Sequence, residues 1–229
     1  METGGWLRRH LSRPPHPARF AGEIRDSRTP NDHRYLRSFL AGLPASSKVL
    51  DLGSGERRMQ PGTVNLDIVP SPSVDVVADG HRLPFPESVF DAIILQSVIE
   101  HVPEPDQMLA ECSRVLVPGG RIWVEAPFSY PVHDSSDYYR WTLMGLRYTV
   151  GKHFEVVESG ALIGPSSALS LAWRAYLNWK LSRLHWGLRN GLAWMTAWIR
   201  SLDPDEMLVE PPDIYASSYA VGTKRISPN

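Results

Sequence analysis

Glycine and aspartate residues follow a series of short apolar segments in the first half of the chain. Val49-Leu50-Asp51-Leu52 leads into Gly53-Ser54-Gly55, and Val64-Asn65-Leu66 ends on Asp67. Glycines after a parallel strand permit a tight turn and let a ligand approach the backbone closely. An aspartate at the end of the following strand can accept hydrogen bonds from the hydroxyl groups of a ribose. The spacing therefore favours a ribose-containing ligand beside the glycine turn.

Three more segments continue this pattern in order along the chain. Asp79-Gly80 follows Val76-Val77-Ala78, Glu100-His101 follows the apolar segment 90–95, and Pro118-Gly119-Gly120 follows Leu116-Val117. A single aspartate or glycine of this kind is more often a cap or turn residue than a ligand-binding residue. The ordered set is far more specific than any of its members, and it favours a binding function for the whole set.

The elements that must hold these residues alternate between strands and helices. Pro118-Gly119-Gly120 is expected to end the second helix. Strands that alternate with helices predict an α/β fold with a mostly parallel, seven-stranded sheet. We assign residues 31–229 to this domain and residues 1–30 to a flexible N-terminal arm. Buried strands are predicted at 48–52, 63–68, 74–78, 90–95, 121–125, 153–158 and 217–223, with helices at 32–43 and 105–116.

A tryptophan-rich helical insertion is predicted at about 164–202, before the last strand. It contains Trp173, Trp179, Trp186, Trp194 and Trp198, which are five of the eight tryptophans. Its apolar side chains recur at helical spacing, which predicts an amphipathic helix packed on the domain. A substrate lid, a homodimer contact or a membrane-surface contact through 165–202 stay open, since tryptophan beside arginine and lysine is typical of an interface.

The charge and the cysteine content exclude several classes of protein. A net charge of −1 and a pI near 6.7 give no overall attraction to nucleic acid, so no nucleic-acid partner is expected. One cysteine, Cys112, excludes an internal disulfide and leaves too few thiolates for a structural zinc site, and we expect no metal. The single cysteine fits a reducing, cytoplasmic setting. No stretch has the length and apolar character of a spanning helix, so we expect a soluble protein that is at most peripheral to the membrane.

Taken together, the segments between about 48 and 160 resemble the class I S-adenosylmethionine-dependent methyltransferases, in particular the methyltransferase type 11 branch. The resemblance implies a Rossmann-like α/β fold and S-adenosylmethionine as cofactor, with S-adenosylhomocysteine as product. It also implies a role for each residue of the pattern. The methionine part would be surrounded by Asp51, Gly53, Ser54 and Gly55, the ribose held by Asp67 beside Ile68, the adenine by Asp79 and Gly80, and the sulfonium faced by Gln96.

The chain departs from this family at the glycine turn and in the lengths of its first connections. Arg57 stands where a third glycine is frequent, and it would either reshape the loop or extend toward the cofactor's carboxylate. The connections 55–64 and 67–74 are shorter than the dozen or so residues that a parallel crossover usually needs. The first helix is therefore expected to span a turn or two at most, and the second to be absent. The chain resembles a shortened branch associated with bacterial glycan and secondary-metabolite pathways.

The loop that follows the fifth strand is the predicted acceptor side of the site, because ligands of open α/β sheets bind beyond the carboxyl ends of the strands. A hydroxyl acceptor must lose its proton, and histidine, with an ordinary pKa near about 6.5, is the natural general base. We assign this role to His133, with Asp137 to orient it. Arg140 would bind an acidic group and Tyr138 or Trp141 would stack on a ring. The structural alternative is that Asp137 caps a helix starting near Tyr138 and that Arg140 closes a salt bridge.

O-methylation of a small-molecule or glycan-linked acceptor is the favoured interpretation. Methylation of nitrogen or carbon, another reaction on the same fold, and a non-catalytic binding role stay open. A nicotinamide dehydrogenase is disfavoured, since its pattern needs a glycine where Arg58 stands. We expect His101 to have a structural or cofactor-cleft role and His81 to lie at the surface.

Overall fold

The computed structural model describes residues 34–180, 197–203 and 213–226, and the predicted alternation of strands and helices is confirmed in them. The predicted arm, 1–30, lies outside these residues. The helices are α1 (Arg34–Ala41), α2 (Pro105–Val115), α3 (Leu143–Gly151) and α4 (Pro165–Lys180), with short 3-10 helices at Ile99–His101 and Ala197–Leu202. The strands are β1 (Val49–Leu52), β2 (Val64–Asp67), β3 (Val76–Val77), β4 (Phe90–Gln96), β5 (Leu116–Pro127), β6 (Glu155–Ile163) and β7 (Ser217–Thr223).

The seven strands form one sheet in the order β3-β2-β1-β4-β5-β7-β6. All pairs from β3 to β5 are parallel, and β7 is antiparallel to both of its neighbours. The prediction of a mostly parallel, seven-stranded sheet is therefore confirmed. The chain leaves β1 toward β2 on one side and returns as β4 on the other. Such a change of direction opens a crevice at the carboxyl ends of the two central strands, where ligands of open α/β sheets bind.

The strands are apolar because both faces of the sheet are covered. Every residue of β1 and most of β4 are buried. Leu109 of α2 and Phe154 pack on one face, while Trp123 and Tyr219 stack on the other with ring centroids 4.4 Å apart. Alternate residues of each strand enter opposite layers, as the two-residue period of a strand requires. This packing fixes the ends of β1 and β4, from which the site residues extend.

Side-chain hydrogen bonds hold the two short connections, 53–63 and 68–75, which contain no helix. This agrees with the prediction of a minimal first helix and an absent second one. The Arg58 guanidinium donates to the Thr63 and Ser73 carbonyls and to the Asp75 carboxylate, 2.7 Å away. The Asn65 side chain donates to the Arg57 and Ser73 carbonyls. These bonds satisfy backbone carbonyls that a crossover helix would otherwise pair.

The fifth strand begins earlier than predicted. Leu116 adopts extended dihedral angles, so α2 ends at Val115 and Pro118-Gly119-Gly120 lies inside β5. The prediction that the strand starts at Arg121, after a helix stop at these three residues, was therefore wrong. Gly119 has φ +77, a conformation that glycine adopts at little cost. The Gly119 amide still donates to the Lys224 carbonyl, which keeps this part of the strand attached to the chain after β7.

The described part of the insertion is α4 together with 197–203. The Asp203 carboxylate accepts hydrogen bonds from the Ser166 and Ser167 amides, at 2.7 and 2.9 Å, and so caps the first turn of α4. Trp173 and Trp179 are exposed on this helix, whereas Leu177 is buried. Contact with a membrane or a second copy through 165–202 stays a prediction. Among the described residues, no helix combines the length and the apolar character needed to span a bilayer.

Candidate functional site

The glycine turn after β1 is tied to the end of β2. The Gly53 and Ser54 amides donate to the Leu66 carbonyl, and the Gly55 amide donates to the Asp67 carboxylate at 2.8 Å. Gly53 and Gly55 have φ values of +77 and +59, where a side chain is strained. A Cβ on Gly53 would overlap the Val98 side chain, while one on Gly55 would meet only open space. The turn therefore borders a hollow beside Gly55.

A buried carboxylate lies beneath this turn. Asp51 is fully buried, and neither of its carboxylate oxygens accepts a hydrogen bond from any described residue. Burial raises the pKa of Asp51 to about 6, with Arg57 lowering it and Asp67 raising it. The Ser54 hydroxyl is also buried without a partner among the described residues. Unpaired buried polar groups cost free energy, which a ligand with hydrogen-bond donors would offset.

Arg57 connects the glycine turn to the end of β4. Its guanidinium hydrogen-bonds to the Gln96 side-chain oxygen and lies 3.4 Å from the Ser54 carbonyl. The Arg57 side chain thus extends from the glycine turn to the end of β4. Because Arg57 lowers the pKa of Asp51, this cation and the buried carboxylate lie near each other beside the glycine turn. A zwitterionic amino-acid group matches that pair of opposite charges.

The residues expected to hold an adenine lie one strand further out. The Asp79 carboxylate accepts a hydrogen bond from the His81 amide and lies 2.6 Å from the His81 ring nitrogen Nδ1. His81 is buried, so the prediction of a surface position was wrong; it orients Asp79 instead. Gly80 is close to Met108, and Ile68 is half-buried directly after β2.

These observations fit S-adenosylmethionine, which the resemblance implies. The unpaired Asp51 carboxylate suits its ammonium group, Arg57 suits its carboxylate, and the open space at Gly55 leaves room for it. The Asp67 oxygens each accept a backbone amide hydrogen bond, from Gly55 and Val69, and each retains a free lone pair for a ribose hydroxyl.

Two histidine rings, those of His101 and His133, meet on the side of the crevice that is predicted to hold the acceptor. His101 Nε2 and His133 Nε2 lie 3.2 Å apart, with the rings perpendicular. His101 Nδ1 lies 3.1 Å from the Ser136 carbonyl, and His133 Nδ1 lies 3.3 Å from the Pro131 carbonyl and 3.1 Å from the Asp137 carboxylate. Burial and His133 together lower the pKa of His101. Because carbonyl oxygens only accept, each Nδ1 carries a hydrogen, and in the neutral rings each Nε2 then carries a lone pair.

Arg140 and Asp137 hold the His133 loop in place. The Arg140 guanidinium makes two hydrogen bonds to the Asp137 carboxylate and others to the Tyr130, Pro131 and Tyr139 carbonyls. These contacts use all five of its N–H donors. Burial alone would raise the pKa of Asp137, but the hydrogen bonds from Arg140 and the His133 amide lower it overall. Arg140 therefore has the structural role that the sequence left as the alternative, and no donor is left for substrate.

The other predicted loop residues lie around this clamp. The Asp137 carboxylate accepts the His133 amide at 3.1 Å, which agrees with an orienting role. It does not cap a helix near Tyr138, because α3 starts at Leu143 and is capped by Thr142. Tyr138 is half exposed, and the Trp141 ring nitrogen has no hydrogen-bond partner among the described residues. Both rings stay candidates for contact with an acceptor.

Glu100 is the residue that sequence reasoning missed. It is fully buried beside His101, and neither of its oxygens has a hydrogen-bond partner among the described residues. Burial raises its pKa to about 8. Glu100, His101 and His133 each offer a ligand atom, and these atoms lie within 4.8 Å of one another. The Glu100-His101 pair was visible in the sequence, but nothing there indicated that His133 would join it.

Comparison with known proteins relates part of the chain to one protein family. Residues 45–124 match the model of a family described as a methyltransferase domain. The chain is 30% identical over 146 residues to the ubiquinone/menaquinone biosynthesis C-methyltransferase UbiE of Laribacter hongkongensis, an alignment covering 49% of this chain and 59% of that protein. The alignments span 22% to 59% of the length of such curated relatives.

Several solved structures have the same fold as this chain. The 1,6-didemethyltoxoflavin-N1-methyltransferase of Burkholderia thailandensis superposes with a TM-score of 0.59 at 18% identity, over 98% of this chain and 90% of that one. The [4+2]-cyclase SpnF superposes with a TM-score of 0.53 at 16% identity, over 84% of this chain and 81% of that one. At such identities the likeness concerns the fold alone. Residues 45–124 thus match the methyltransferase domain family, and the chain has the fold of the class I S-adenosylmethionine-dependent methyltransferases.

Proposed function

We propose that this protein transfers the methyl group of S-adenosylmethionine to a small-molecule or glycan-linked acceptor. The observation that carries the proposal is the buried Asp51 carboxylate, which has no partner among the described residues and whose pKa the nearby Arg57 lowers. When bound, the cofactor supplies a methyl group already activated by a sulfonium. The protein then has to align the acceptor with that methyl group and exclude water.

Each cofactor-side residue contributes a separate contact. Asp51 binds the ammonium group and Arg57 the carboxylate. Asp67 accepts the ribose hydroxyls, and Asp79, oriented by His81, accepts the adenine amino group. The Gln96 side chain, held by Arg57, lies at the end of β4 where the crevice turns toward the histidines.

An oxygen acceptor is the first candidate, with His133 as the general base. The His133 ring is held on its Nδ1 side by Pro131 and Asp137, which leaves the Nε2 lone pair available to take a hydroxyl proton. The proton then rests on an imidazolium that the nearby Asp137 carboxylate stabilises. A carbon acceptor is the second candidate, because the relative from Laribacter hongkongensis is named a C-methyltransferase.

Calorimetric titration with S-adenosylmethionine and S-adenosylhomocysteine tests the cofactor site. We expect binding that Asp67→Asn weakens by about 1–3 kcal/mol, the cost of a lost partner to a buried polar group. Asp75→Asn is the matched control, because Asp75 is a neighbouring aspartate whose carboxylate pairs with Arg58 and the Asn65 amide. An absence of binding by folded protein would refute the proposal.

An acceptor screen that measures S-adenosylhomocysteine then tests His133. We expect His133→Asn to lower kcat by a factor of about 10²–10⁴, the usual contribution of a general base, with cofactor affinity unchanged. A carbon-13 label in the transferred methyl group distinguishes the two acceptors, since methoxy and carbon-bound methyl groups have different NMR shifts. Unchanged turnover in the variant would remove His133 from the mechanism.

A further inference from the structure

The contact between His101 and His133 places two electron pairs against each other. Each Nδ1 faces an oxygen acceptor, so in the neutral rings each Nε2 carries a lone pair, and the two Nε2 atoms are 3.2 Å apart. Neither nitrogen can donate a hydrogen bond to the other in these tautomers. A positive charge between the two nitrogens would turn this repulsion into attraction.

The 3.2 Å separation matches that of two ligands of a single metal ion. Zinc binds imidazole nitrogen at about 2.0–2.1 Å. Two such ligands lie about 2.9 Å apart at a right angle and about 3.4 Å apart at a tetrahedral angle. The spacing of the two rings falls within this range. The Nδ1 contacts with the Ser136 and Pro131 carbonyls and the Asp137 carboxylate are those that orient metal-binding histidines.

Glu100 supplies the third ligand. Its Oε1 lies 3.8 Å from His101 Nε2, and all three ligand atoms are within 4.8 Å of one another. The Glu100 side chain has no exposed surface and no hydrogen-bond partner among the described residues. A fully buried carboxyl group without a partner, next to two imidazole nitrogens, is an independent indication that a cation belongs there, because an unpaired buried polar group costs free energy that a bound cation would offset.

We infer that Glu100, His101 and His133 bind one divalent first-row transition-metal ion, with Zn²⁺ the best match. Two imidazoles and one carboxylate form a common catalytic set for zinc and for non-haem Fe²⁺, whereas Mg²⁺ prefers oxygen ligands alone. Three protein ligands leave a coordination position for an acceptor oxygen. This inference goes beyond the proposed methyl transfer and differs from the sequence-based expectation of no metal.

A bound cation changes the role of His133 without changing the location of the chemistry. The metal takes the Nε2 lone pair that the general base would use, so His133 cannot serve as ligand and base at once. A hydroxyl group on the open position would release its proton to solvent at lower pH, because the cation stabilises the oxygen anion. The histidine pair thus takes part in acceptor activation both with and without the bound metal.

Metal titration of the full-length protein tests the site without an acceptor. Protein treated with a chelator and dialysed is titrated with Zn²⁺ by calorimetry and with Co²⁺ by visible absorption, which reports coordination geometry. We expect one equivalent to bind, with an affinity at least about tenfold lower in His101→Ala, His133→Ala and Glu100→Gln. His153→Ala is the matched control, since His153 lies 3.7 Å from the Asp106 carboxylate and away from the cluster.

Two results would overturn the inference. One is that folded wild-type protein does not bind one equivalent of metal. The other is that His153→Ala and His133→Ala lose the same amount of metal affinity. If Glu100→Gln does not fold, His133→Ala still tests the metal site, because His133 lies on a partly exposed loop where the substitution should leave the fold intact. Asp67→Asn is expected to lose cofactor affinity while keeping the metal, so failure of the metal site and failure of the proposed function are distinguishable.

Discussion

The two sides of the crevice satisfy their polar groups in opposite ways. On the cofactor side, the Asp51 carboxylate and the Ser54 hydroxyl are buried without partners among the described residues. On the acceptor side, Arg140 uses every N–H donor within its own loop and fixes Asp137 against His133. The first side depends on a ligand to complete its hydrogen bonds, whereas the Arg140–Asp137 clamp of the second is completed within its own loop.

This difference predicts opposite effects of substitution on stability. Removing a polar group on the cofactor side should relieve an unpaired charge and stabilise the protein without ligand. Removing one from the acceptor-side clamp should leave a partner buried and unpaired, which destabilises it.

The largest change in stability is expected for Arg140→Met. The Asp137 side chain has no exposed surface, and Arg140 is 24% exposed, so the variant leaves a buried carboxylate without its cation. We expect a loss of about 3 kcal/mol in the free energy of unfolding, measured by urea denaturation at pH 7. Adding Asp137→Asn should recover part of it. Lys152→Met is the control, because the exposed Lys152–Asp106 pair should contribute less than about 1 kcal/mol.

The next largest effect is an increase in the free energy of unfolding, which we expect for Asp51→Asn. The pKa of Asp51 in the folded protein is about 6, above the ordinary 3.8, so the folded state binds the proton more tightly. Protonated Asp51 therefore stabilises the folded wild-type protein below about pH 4, and this contribution is lost as the pH rises toward 6. Without ligand, the variant should match wild type at pH 4 and exceed it by about 2–3 kcal/mol at pH 7.

Calorimetry with S-adenosylmethionine completes the test of Asp51. The same variant should bind the cofactor at least about tenfold more weakly, because a neutral amide replaces the anion that faces the ammonium group. A variant that is no more stable than wild type at pH 7 would show that Asp51 has a partner, and the contrast between the two sides would fail.

The cofactor side was largely predictable from the sequence because its determinants are local. The glycine turn, Asp67 and Asp79 each follow directly from a strand, so the order of strands places them at one edge. The Arg57–Gln96 contact joins residues 39 positions apart, and the sequence left the direction of Arg57 open. His81 was misplaced because a histidine after a turn gives no sign that it folds back on Asp79.

The acceptor side was only partly predictable because its geometry depends on tertiary contacts. His133 and Asp137 were recognised from their residue types in a loop beyond β5. The meeting of His133 with His101, 32 positions earlier, depends on how residues 130–141 pack on the 3-10 helix Ile99–His101. The Tyr138 amide donates to the Glu100 carbonyl and Tyr139 to the Pro103 carbonyl. No periodicity or motif encodes such contacts.

The smallest effect concerns the two glycines of the turn, compared as a pair. Both have positive φ, so Gly53→Ala and Gly55→Ala should share a cost of about 1–2 kcal/mol for the backbone conformation. Only Gly53→Ala also brings its Cβ against Val98, which should make it the less stable of the two by about 1 kcal/mol or more. Combining it with Val98→Ala should remove this excess in a double-mutant cycle. Gly55→Ala should instead weaken cofactor binding, because its methyl group enters the hollow that the ligand needs. Equal stability of the two variants would mean that Val98 moves freely and that the turn is less constrained than its contacts indicate.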